Sequence, residues 1–427
     1  MLRTTLPCIL PLLLAVPAVA EDWPCWRGPT RQGISTEQGL PIRWTATENV
    51  AWKTAIPGEG WSSPIVFGDR VFVTTATEGG ASCRVICLDR TTGKIHWDKE
   101  VFQQSPGHKA PRNTYATPTP CTDGKRVYAL FGDGSFVALD YEGKVVWTNR
   151  QQKFYGEHGL GTSPILYGDL LLTAWDGSSD GPDKTLGWQK PWDQGGLLAL
   201  DRNSGKVRWR GSRGRSRISH VVPNVFRHGN EVQIISGAGD VVQGFDPEDG
   251  RRLWSVRSEG EGVVPSIVIG DGLVFATSGF GDPAIRAIRP GTADDPASAK
   301  IVWESKKAVP MIPSFIYGND LLFTINEGGI AQCFDPRSGE QLWQQRVGGQ
   351  HSASPICADG KVYFLSDDGE STVVDADRRF RVVARNQIGE TCQASYAVSR
   401  RQLFIRTDKH LYCVGPVERQ DPTPRGR

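Results

Sequence analysis

Short runs of alternating apolar and polar residues, separated by Gly, Asp and Asn, occupy most of this chain. One example is the apolar segment PIVF (64–67), a Gly-Asp turn, and the alternating segment RVFVTT (70–75). Alternation with a period of two predicts a half-buried strand, and a two-residue turn of this kind predicts a β-hairpin. The chain is therefore expected to consist of short antiparallel strands.

This hairpin phrase recurs along the chain. Eight copies can be recognised, at residues 61–75, 115–132, 161–175, 220–237, 263–279, 311–325, 352–367 and 393–407. Repetition of one supersecondary unit at a regular spacing is typical of repeat architectures, in which each unit buries its apolar face against its neighbours.

A second phrase follows most hairpins and reads, for example, CFDPRSGEQLW (333–343). It predicts a third strand, a four-residue turn and a fourth strand that ends in Trp. We expect the Gly to adopt a positive φ, the Asp to accept hydrogen bonds from turn N–H groups, and the Trp to lie between neighbouring sheets with its N–H on a backbone partner. Six units end in this way, at Trp97, Trp147, Trp209, Trp254, Trp303 and Trp343.

Four strands per unit, repeated every 40 to 62 residues, predict an all-β fold: an eight-bladed β-propeller of four-stranded antiparallel blades. The eighth unit lacks a fourth strand, and NVAWK (49–53) is expected to supply it, which closes the ring and removes a free sheet edge. Seven blades would require that one weak unit form no blade. The predicted organisation is a signal peptide (1–20), an N-terminal extension packing on the propeller (21–48), the propeller (49–415) and a disordered tail (416–427).

The first twenty residues predict export. They carry one Arg, an apolar run and Ala18-Val19-Ala20, which favours cleavage before Glu21. The run is short and interrupted by Pro, so it does not predict a transmembrane segment. Cys8 precedes the apolar run, so no lipid-attachment site is expected. These features indicate a periplasmic or secreted protein.

The formal charge of +2 predicts no affinity for nucleic acid, and a monomer is expected. Export permits disulfides, but they stay one alternative beside buried structural thiols, which the repeat positions favour. Outside the signal peptide the chain has eight cysteines: Cys25, Cys83, Cys87, Cys121, Cys333, Cys357, Cys392 and Cys413.

The phrase A-x-D-x-x-x-G-[KE]-x-x-W resembles the repeat of pyrroloquinoline-quinone (PQQ) dehydrogenase propellers and of the eight-bladed outer-membrane-assembly, BamB-like propeller. The segments DWPCWRGP (22–29), NVAWK (49–53) and PGEGWSSP (57–64) are similar to secreted PQQ-like repeat proteins of planctomycete-type bacteria. The resemblance covers nearly the whole mature chain. It implies the propeller fold, whereas a propeller can host many functions.

Long loops predict where a ligand binds, because binding residues concentrate on loops held by a rigid scaffold. The loops 102–115, 149–161 and 210–220 and the insertion 175–196 are expected on one face, over blades two to four. Aromatic, Arg and His side chains there would suit a planar anion, a sugar or a peptide. The candidate residues are Trp61, Arg112, Tyr115, His158, Trp188, Trp192, Arg215, Arg217, His220 and His351. The alternative is that Trp188 and Trp192 only pin the insertion and that the Arg residues are simply solvated.

Two functions fit these observations. The first is an exported, non-catalytic propeller that acts as a scaffold in the cell envelope and binds an envelope protein or a small polar or sugar ligand, without cofactor or metal. The alternative is a quinoprotein oxidoreductase that uses PQQ and Ca²⁺ to oxidise alcohols or sugars. The resemblance implies that such enzymes carry adjacent cysteines and a calcium-binding carboxylate set. This chain has no adjacent cysteines and no C-x-x-C-H haem motif, which favours the first function.

Overall fold

The computed structural model describes residues 21–229 and 231–417, and these form eight four-stranded antiparallel sheets. The predicted eight-bladed propeller is confirmed. The predicted signal peptide lies outside the described residues, as does the tail beyond residue 417. Among the described residues, no helix has the length and apolar character needed to cross a bilayer.

Blades one to four each use four consecutive strands, paired in chain order. Blade one contains β2 (Ile65–Phe67), β3 (Arg70–Thr77), β4 (Ser82–Asp89) and β5 (Ile95–Gln103). Blade two contains β6 (Cys121–Thr122), β7 (Arg126–Leu130), β8 (Phe136–Asp140) and β9 (Val145–Asn149). Blade three contains β10 (Ile165–Tyr167), β11 (Leu170–Ala174), β12 (Gly196–Asp201) and β13 (Val207–Ser212). Blade four contains β14 (Asn224–His228), β15 (Glu231–Ala238), β16 (Val241–Phe245) and β17 (Arg252–Arg257).

Blades five to seven repeat the arrangement. Blade five contains β18 (Val268–Gly270), β19 (Leu273–Ser278), β20 (Ala284–Arg289) and β21 (Lys300–Ser305). Blade six contains β22 (Ile316–Gly318), β23 (Leu321–Ile325), β24 (Ile330–Phe334) and β25 (Gln341–Arg346). Blade seven contains β26 (Ile356–Ala358), β27 (Lys361–Leu365), β28 (Glu370–Asp375) and β29 (Val382–Gln387). Two short 3₁₀ helices span Glu78–Gly80 and Pro296–Ser298.

Blade eight joins the two ends of the chain. Its strands are β30 (Ala397–Ser399), β31 (Gln402–Arg406), β32 (His410–Val414) and β1 (Val50–Ala55). In the β1–β32 pair, Trp52 lies opposite Cys413 and Ala55 lies opposite His410. The N-terminal strand therefore closes the ring as predicted and covers the edge of β32.

Tryptophan at the end of one blade contacts the four-residue turn of the next. The Trp147 indole N–H donates to the Arg202 carbonyl at 2.9 Å, and a Cβ on Gly205 would lie 2.3 Å from that indole. The Gly therefore serves twice, because it adopts a φ of +70° and leaves room for the indole. The same indole-to-carbonyl bond is made by Trp52, Trp97, Trp209, Trp303 and Trp343.

The joints without this contact have altered turns. Trp254 donates instead to Gln233 Oε1 of its own blade at 2.7 Å, because the next turn, in blade five, is lengthened to residues 290–299. In blade seven, Ala384 occupies the Trp position opposite Val373, and blade eight has no turn between its third and fourth strands, because β32 and β1 come from opposite ends of the chain. The Trp and the turn that it contacts are thus lost or changed together.

The eight cysteines of the described residues are all buried. Cys87, Cys333 and Cys413 each lie directly opposite a blade-ending Trp in the sheet. Burial raises the pKa of Cys25 to about 11, so this thiol stays protonated and packs as a small apolar side chain.

Residues 21–36 cross the channel on the face away from the long loops. Their contacts fall near the ends of the inner strands, about three residues beyond the level where each strand enters the channel. They include Trp23 with Val66, Pro24 with Thr122, Arg31 with Asn224, Gln32 with Ile269, Arg27 with Phe315, Ser35 with Cys357 and Glu21 with Ser399. Trp26 packs against the apolar cluster that blades three and four share, and this segment closes one end of the channel.

Candidate functional site

A cavity of about 540 Å³, here called the axial cavity, lies on the propeller axis at the long-loop face. One residue from the entrance of each inner strand lines it. These residues, in blade order, are Ser63, Thr119, Ser163, Val222, Ser266, Ser314, Ser354 and Ser395. Trp26 of the segment that closes the opposite end also lines it, so the cavity is a cup with a floor.

Seven of these eight residues carry a hydroxyl and are here called the hydroxyl ring. The Ser63 N–H donates to Thr119 Oγ1 at 2.8 Å, and the Thr119 N–H donates to Ser163 Oγ at 2.9 Å. The same bond, at 2.9 to 3.0 Å, runs from Val222 to Ser266, Ser266 to Ser314, Ser314 to Ser354, Ser354 to Ser395 and Ser395 to Ser63. The ring therefore ties each blade to the next around the channel.

The hydroxyl ring has one break, between blades three and four. Val222 has no hydroxyl to accept a hydrogen bond, and the Ser163 N–H has no acceptor among the described residues. The His220 imidazole lies beside this break, since a Cβ on Gly161 would be 2.9 Å from His220 Nδ1. A backbone N–H is thus left unpaired at the cavity wall.

The ring hydroxyls keep hydrogen-bonding capacity. Each accepts one backbone N–H, and none donates its own proton to another of the residues that the structure describes. A hydroxyl has one O–H donor and two lone pairs. Every ring member therefore retains one donor and one acceptor site beside the cavity.

Aromatic side chains surround the cavity mouth. Trp61, Trp188 and Phe280 line it, and Phe280 is 55% exposed. Trp188 and His158 pack edge to face with ring centroids 5.2 Å apart, and the His158 and His220 centroids are 6.3 Å apart. The mouth thus offers flat apolar faces above a polar ring.

Burial lowers the pKa of His220 to about 4, and the neighbouring His158 acts in the same direction. Burial also lowers the pKa of His158. Neither imidazole has a hydrogen-bond partner on its ring nitrogens among the described residues. Both rings are therefore neutral at pH 7, and each has one nitrogen that donates and one that accepts.

Two charged side chains, Arg112 and Glu261, line the cavity. Arg112 also lies close enough to Glu327 to lower the pKa of that carboxyl, which burial raises overall. Glu327 Oε1 accepts the Met311 and Ile312 N–H groups at 2.6 and 2.5 Å. Arg112 and Glu261 carry opposite charges, so the side chains that line the cavity carry no net charge.

The structure brings together five of the ten residues predicted for the site. These are Trp61, Arg112, His158, Trp188 and His220, and all line the axial cavity. The other five lie outside it. Tyr115 lines a separate cavity of about 110 Å³, with its ring against Gly80 and its hydroxyl donating to the Gly107 carbonyl at 2.8 Å.

Trp192, Arg215 and Arg217 hold the insertion to the 210–220 loop. Trp192 and Ser216 exchange two backbone hydrogen bonds, at 2.9 and 2.8 Å. Arg215 Nε donates to the Pro191 carbonyl at 3.3 Å, and Arg217 Nε donates to the Gln189 carbonyl at 3.0 Å. The structure places these three residues as supports beside the mouth.

His351 lies inside the protein. Its Nδ1 is 2.9 Å from the Leu365 carbonyl oxygen, and its Nε2 is 2.8 Å from that of Gly348. Burial lowers its pKa. Both ring nitrogens are engaged by backbone, so this side chain braces a loop of blade seven instead of facing the cavity.

A buried ion pair positions the insertion relative to the cavity. The Asp176 and Arg213 side chains are both 0% exposed, with Arg213 Nε 2.9 Å from Asp176 Oδ1. Asp176 Oδ1 also accepts the Gly196 N–H at 2.8 Å, and Oδ2 accepts the Ser219 hydroxyl at 2.6 Å. Losing one partner of such a buried pair costs more than losing both, because it leaves an unpaired charge.

Sequence reasoning missed Trp26, Phe280 and the hydroxyl ring. The ring had a visible signal, a Ser or Thr next to Pro at the entrance of most inner strands. Trp26 and Phe280 had none, because their place depends on the path of residues 21–36 and on the exposed loop 279–283. Within residues 21–229 and 231–417, no group of three or more His, Cys, Asp or Glu side chains is placed to hold a metal ion.

Eight four-stranded blades, most of them carrying the Asp-Gly-Trp repeat, around an axial cavity with one entrance define a propeller of the PQQ-like repeat class. The family model described as outer membrane protein assembly factor BamB matches residues 42–278 and 292–409, and the chain belongs to this family.

Two curated relatives and one solved structure are similar. The chain is 25% identical to the outer membrane protein assembly factor BamB of Bordetella pertussis over 267 residues, 58% of this chain and 59% of that protein. It is 25% identical to a polyvinylalcohol dehydrogenase of Pseudomonas sp over 400 residues, 86% of this chain and 56% of that protein. The chain thus spans less than two thirds of either relative. The crystal structure of BamB from Moraxella catarrhalis aligns with a TM-score of 0.61 at 13% identity, covering 87% of this chain and 99% of that one, which shows the shared fold.

The resemblance to quinoprotein dehydrogenases implies PQQ held with Ca²⁺, and the axial cavity does not fit that pair. Ca²⁺ takes about six to eight oxygen ligands, with carboxylates among them. Among the described residues, Glu261 is the one carboxylate that lines the cavity, and no cysteine lines it.

Proposed function

We propose that this chain is an exported, non-catalytic propeller of the cell envelope that binds a small polar ligand in the axial cavity. The observation that carries the proposal is the hydroxyl ring, whose seven O–H groups have no acceptor among the described residues. Buried polar groups are normally hydrogen-bonded, so a polar ligand or water must complete these hydroxyls. The closed floor and the aromatic mouth give that ligand an enclosed site with one entrance.

A cavity-filling variant tests this proposal. Val264 lines the axial cavity, and Val264→Trp would fill part of it. Small uncharged, anionic and cationic compounds are screened against the wild-type protein by thermal shift, and hits are measured by calorimetry. We expect a hit that binds one to one and loses at least tenfold in affinity with Val264→Trp. The control Val302→Trp makes the same change on an outer strand, where Val302 is 38% exposed, and should bind normally.

If no screened compound loses affinity in the Val264→Trp variant, ligand binding in the cavity is contradicted. Capture of an envelope protein that is insensitive to Val264→Trp would instead favour a scaffold that uses only its outer surface.

The competing function, a quinoprotein oxidoreductase, is favoured by the match to polyvinylalcohol dehydrogenase over 86% of this chain. Purified protein supplied with PQQ and Ca²⁺ is followed by the quinone absorbance and by dye reduction with alcohols. We expect neither stoichiometric uptake nor turnover, because the described residues offer the cavity a single carboxylate. Turnover that Val264→Trp abolishes would replace the binding function by the enzymatic one.

A further inference from the structure

The hydroxyl ring presents donors and acceptors in equal number. After accepting one backbone N–H, each hydroxyl keeps one O–H and one lone pair. A carboxylate or phosphate uses only the donors, and an ammonium uses only the acceptors. A ligand hydroxyl uses both, so a ligand rich in hydroxyl groups satisfies this wall most completely.

The charge around the cavity points to a neutral ligand. None of the eight residues at the level of the ring is charged, and an ion without a charged partner is costly to remove from water. Arg112 is exposed at the mouth, and Glu261, which also lines the cavity, carries the opposite charge. At the level of the hydroxyl ring, neither an anion nor a cation therefore finds a compensating charge.

The mouth suits the apolar face of a sugar ring. Trp61, Trp188 and Phe280 present flat surfaces on which a C–H face packs. His158 and His220 add neutral nitrogens that can each donate or accept one hydrogen bond. The volume of about 540 Å³ lies within the range of about 300 to 1,000 Å³ typical of small-molecule sites and leaves room for a mono- or disaccharide.

The break in the hydroxyl ring also determines how the ligand is oriented in the cavity. At every other joint of the ring a hydroxyl occupies the backbone N–H, whereas the Ser163 N–H, opposite Val222, has no acceptor among the described residues. This group can only donate, so it requires an acceptor oxygen from the ligand. His220 lies beside it and can contact the same oxygen or its neighbour.

We infer that the axial cavity binds an uncharged, polyhydroxylated ligand of mono- or disaccharide size, with one ligand oxygen accepting the Ser163 N–H at the break in the hydroxyl ring. The inference rests on the proposed function, since it names the ligand class of that same cavity.

A probe panel tests the ligand class. Titration calorimetry is run on the full protein with myo-inositol, glucose and cellobiose as uncharged probes, and with glucuronate and glucosamine as charged analogues of glucose. We expect one-to-one binding of at least one uncharged probe. Glucuronate and glucosamine should bind at least tenfold more weakly than glucose.

Val222→Thr tests the position of the ligand oxygen. At the equivalent place in blade two, the Thr119 hydroxyl accepts the Ser63 N–H at 2.8 Å, so the hydroxyl introduced by Val222→Thr would accept the Ser163 N–H and complete the ring. The melting temperature should rise by about 1 to 3 °C, and affinity for the uncharged probe should fall about tenfold. Val302→Thr is the control, because the same change on an outer strand should alter neither quantity.

The possible results distinguish the ligand class, the docking at Ser163 and the proposed function from one another. Selective binding of charged probes, or of a screened compound without hydroxyl groups, overturns the ligand class but leaves ligand binding in the cavity intact. Unchanged affinity of Val222→Thr together with a raised melting temperature overturns the docking at Ser163. If no compound binds with an affinity that Val264→Trp reduces, the proposed function itself is contradicted.

Discussion

Some residues of the channel use the same atoms to link two blades and to line the cavity. Ser266 Oγ accepts the Val222 N–H at 2.9 Å and thereby links blade four to blade five. The same oxygen retains an O–H and a lone pair at the cavity wall. Replacing it by Ala would remove one inter-blade bond and one ligand contact together, so loss of binding in such a variant needs a stability measurement beside it.

Acid should destabilise the protein through His220. Burial and the nearby His158 lower the pKa of His220 to about 4 from the ordinary 6.5, so between these values the unfolded chain binds a proton that the folded protein excludes. Stability is therefore retained above pH 6.5 and lost as pH falls toward 4, by about 3 kcal/mol. Denaturant unfolding across this range should show a shallower pH slope for His220→Gln. The exposed-site control His228→Gln should keep the wild-type slope, and equal slopes for His220→Gln and wild type would contradict this role.

The position of some candidate residues outside the axial cavity has a physical cause. Repeat spacing placed His351 and Tyr115 near the channel mouth, but it carries no information on side-chain direction. The loop backbone supplies two carbonyls that turn His351 inward, and Gly80 leaves a surface against which the Tyr115 ring packs. Both effects come from local loop geometry, which has no repeat.

At the scale of elements, the Asp-x-x-x-Gly turn of one blade and the Trp of the preceding blade form one joint. Sequence analysis predicted the positive φ of the Gly and a backbone partner for the Trp, and the structure confirms both. The close approach of the indole to the Gly was not predicted, because it involves two different repeats. Its regular recurrence explains why both residues appear together in the sequence.

Gly205→Ala should damage this joint more than an ordinary turn substitution. A Cβ at residue 205 would lie 2.3 Å from Trp147, and the φ of +70° is also unfavourable for Ala, so we expect a loss of about 2 to 4 kcal/mol in the free energy of unfolding. Gly168→Ala is the matched control, since Gly168 has a φ of +53° but nothing within 4 Å. It should lose only about 1 kcal/mol in the same denaturant titration. Equal losses for the two variants would show that the indole contact adds nothing.

At the scale of the whole molecule, the N-terminal part of the chain closes both the ring and one end of the channel. Strand β1 was predictable because the eighth repeat visibly lacked a strand and NVAWK (49–53) had the matching pattern. The route of residues 21–36 beneath the blades was not, since no periodicity describes its contacts. The axial cavity depends on both features, which is why the sequence located its rim better than its floor.

Glu390 holds the β1–β32 joint together. Its Oε1 accepts Lys53 Nζ of β1 and the Tyr412 hydroxyl of β32, both at 2.9 Å. Its Oε2 accepts the Thr407 hydroxyl at 2.6 Å and lies 2.9 Å from His410 Nδ1. Burial alone would raise the pKa of Glu390, but these four hydrogen bonds lower it to about 2.

Glu390→Gln should weaken the closed ring in a pH-dependent way. The amide offers one acceptor in place of two charged oxygens, so we expect a loss of about 1 to 3 kcal/mol at pH 7. Because the folded pKa of about 2 lies below the ordinary 4.5, the wild-type advantage is complete above pH 4.5 and disappears as pH falls toward 2. Unfolding free energies of wild type and variant should therefore converge in acid, whereas the exposed control Glu248→Gln should match wild type throughout. A gap that persists at pH 2 would mean that Glu390 acts through packing, and that the ring is closed by backbone pairing alone.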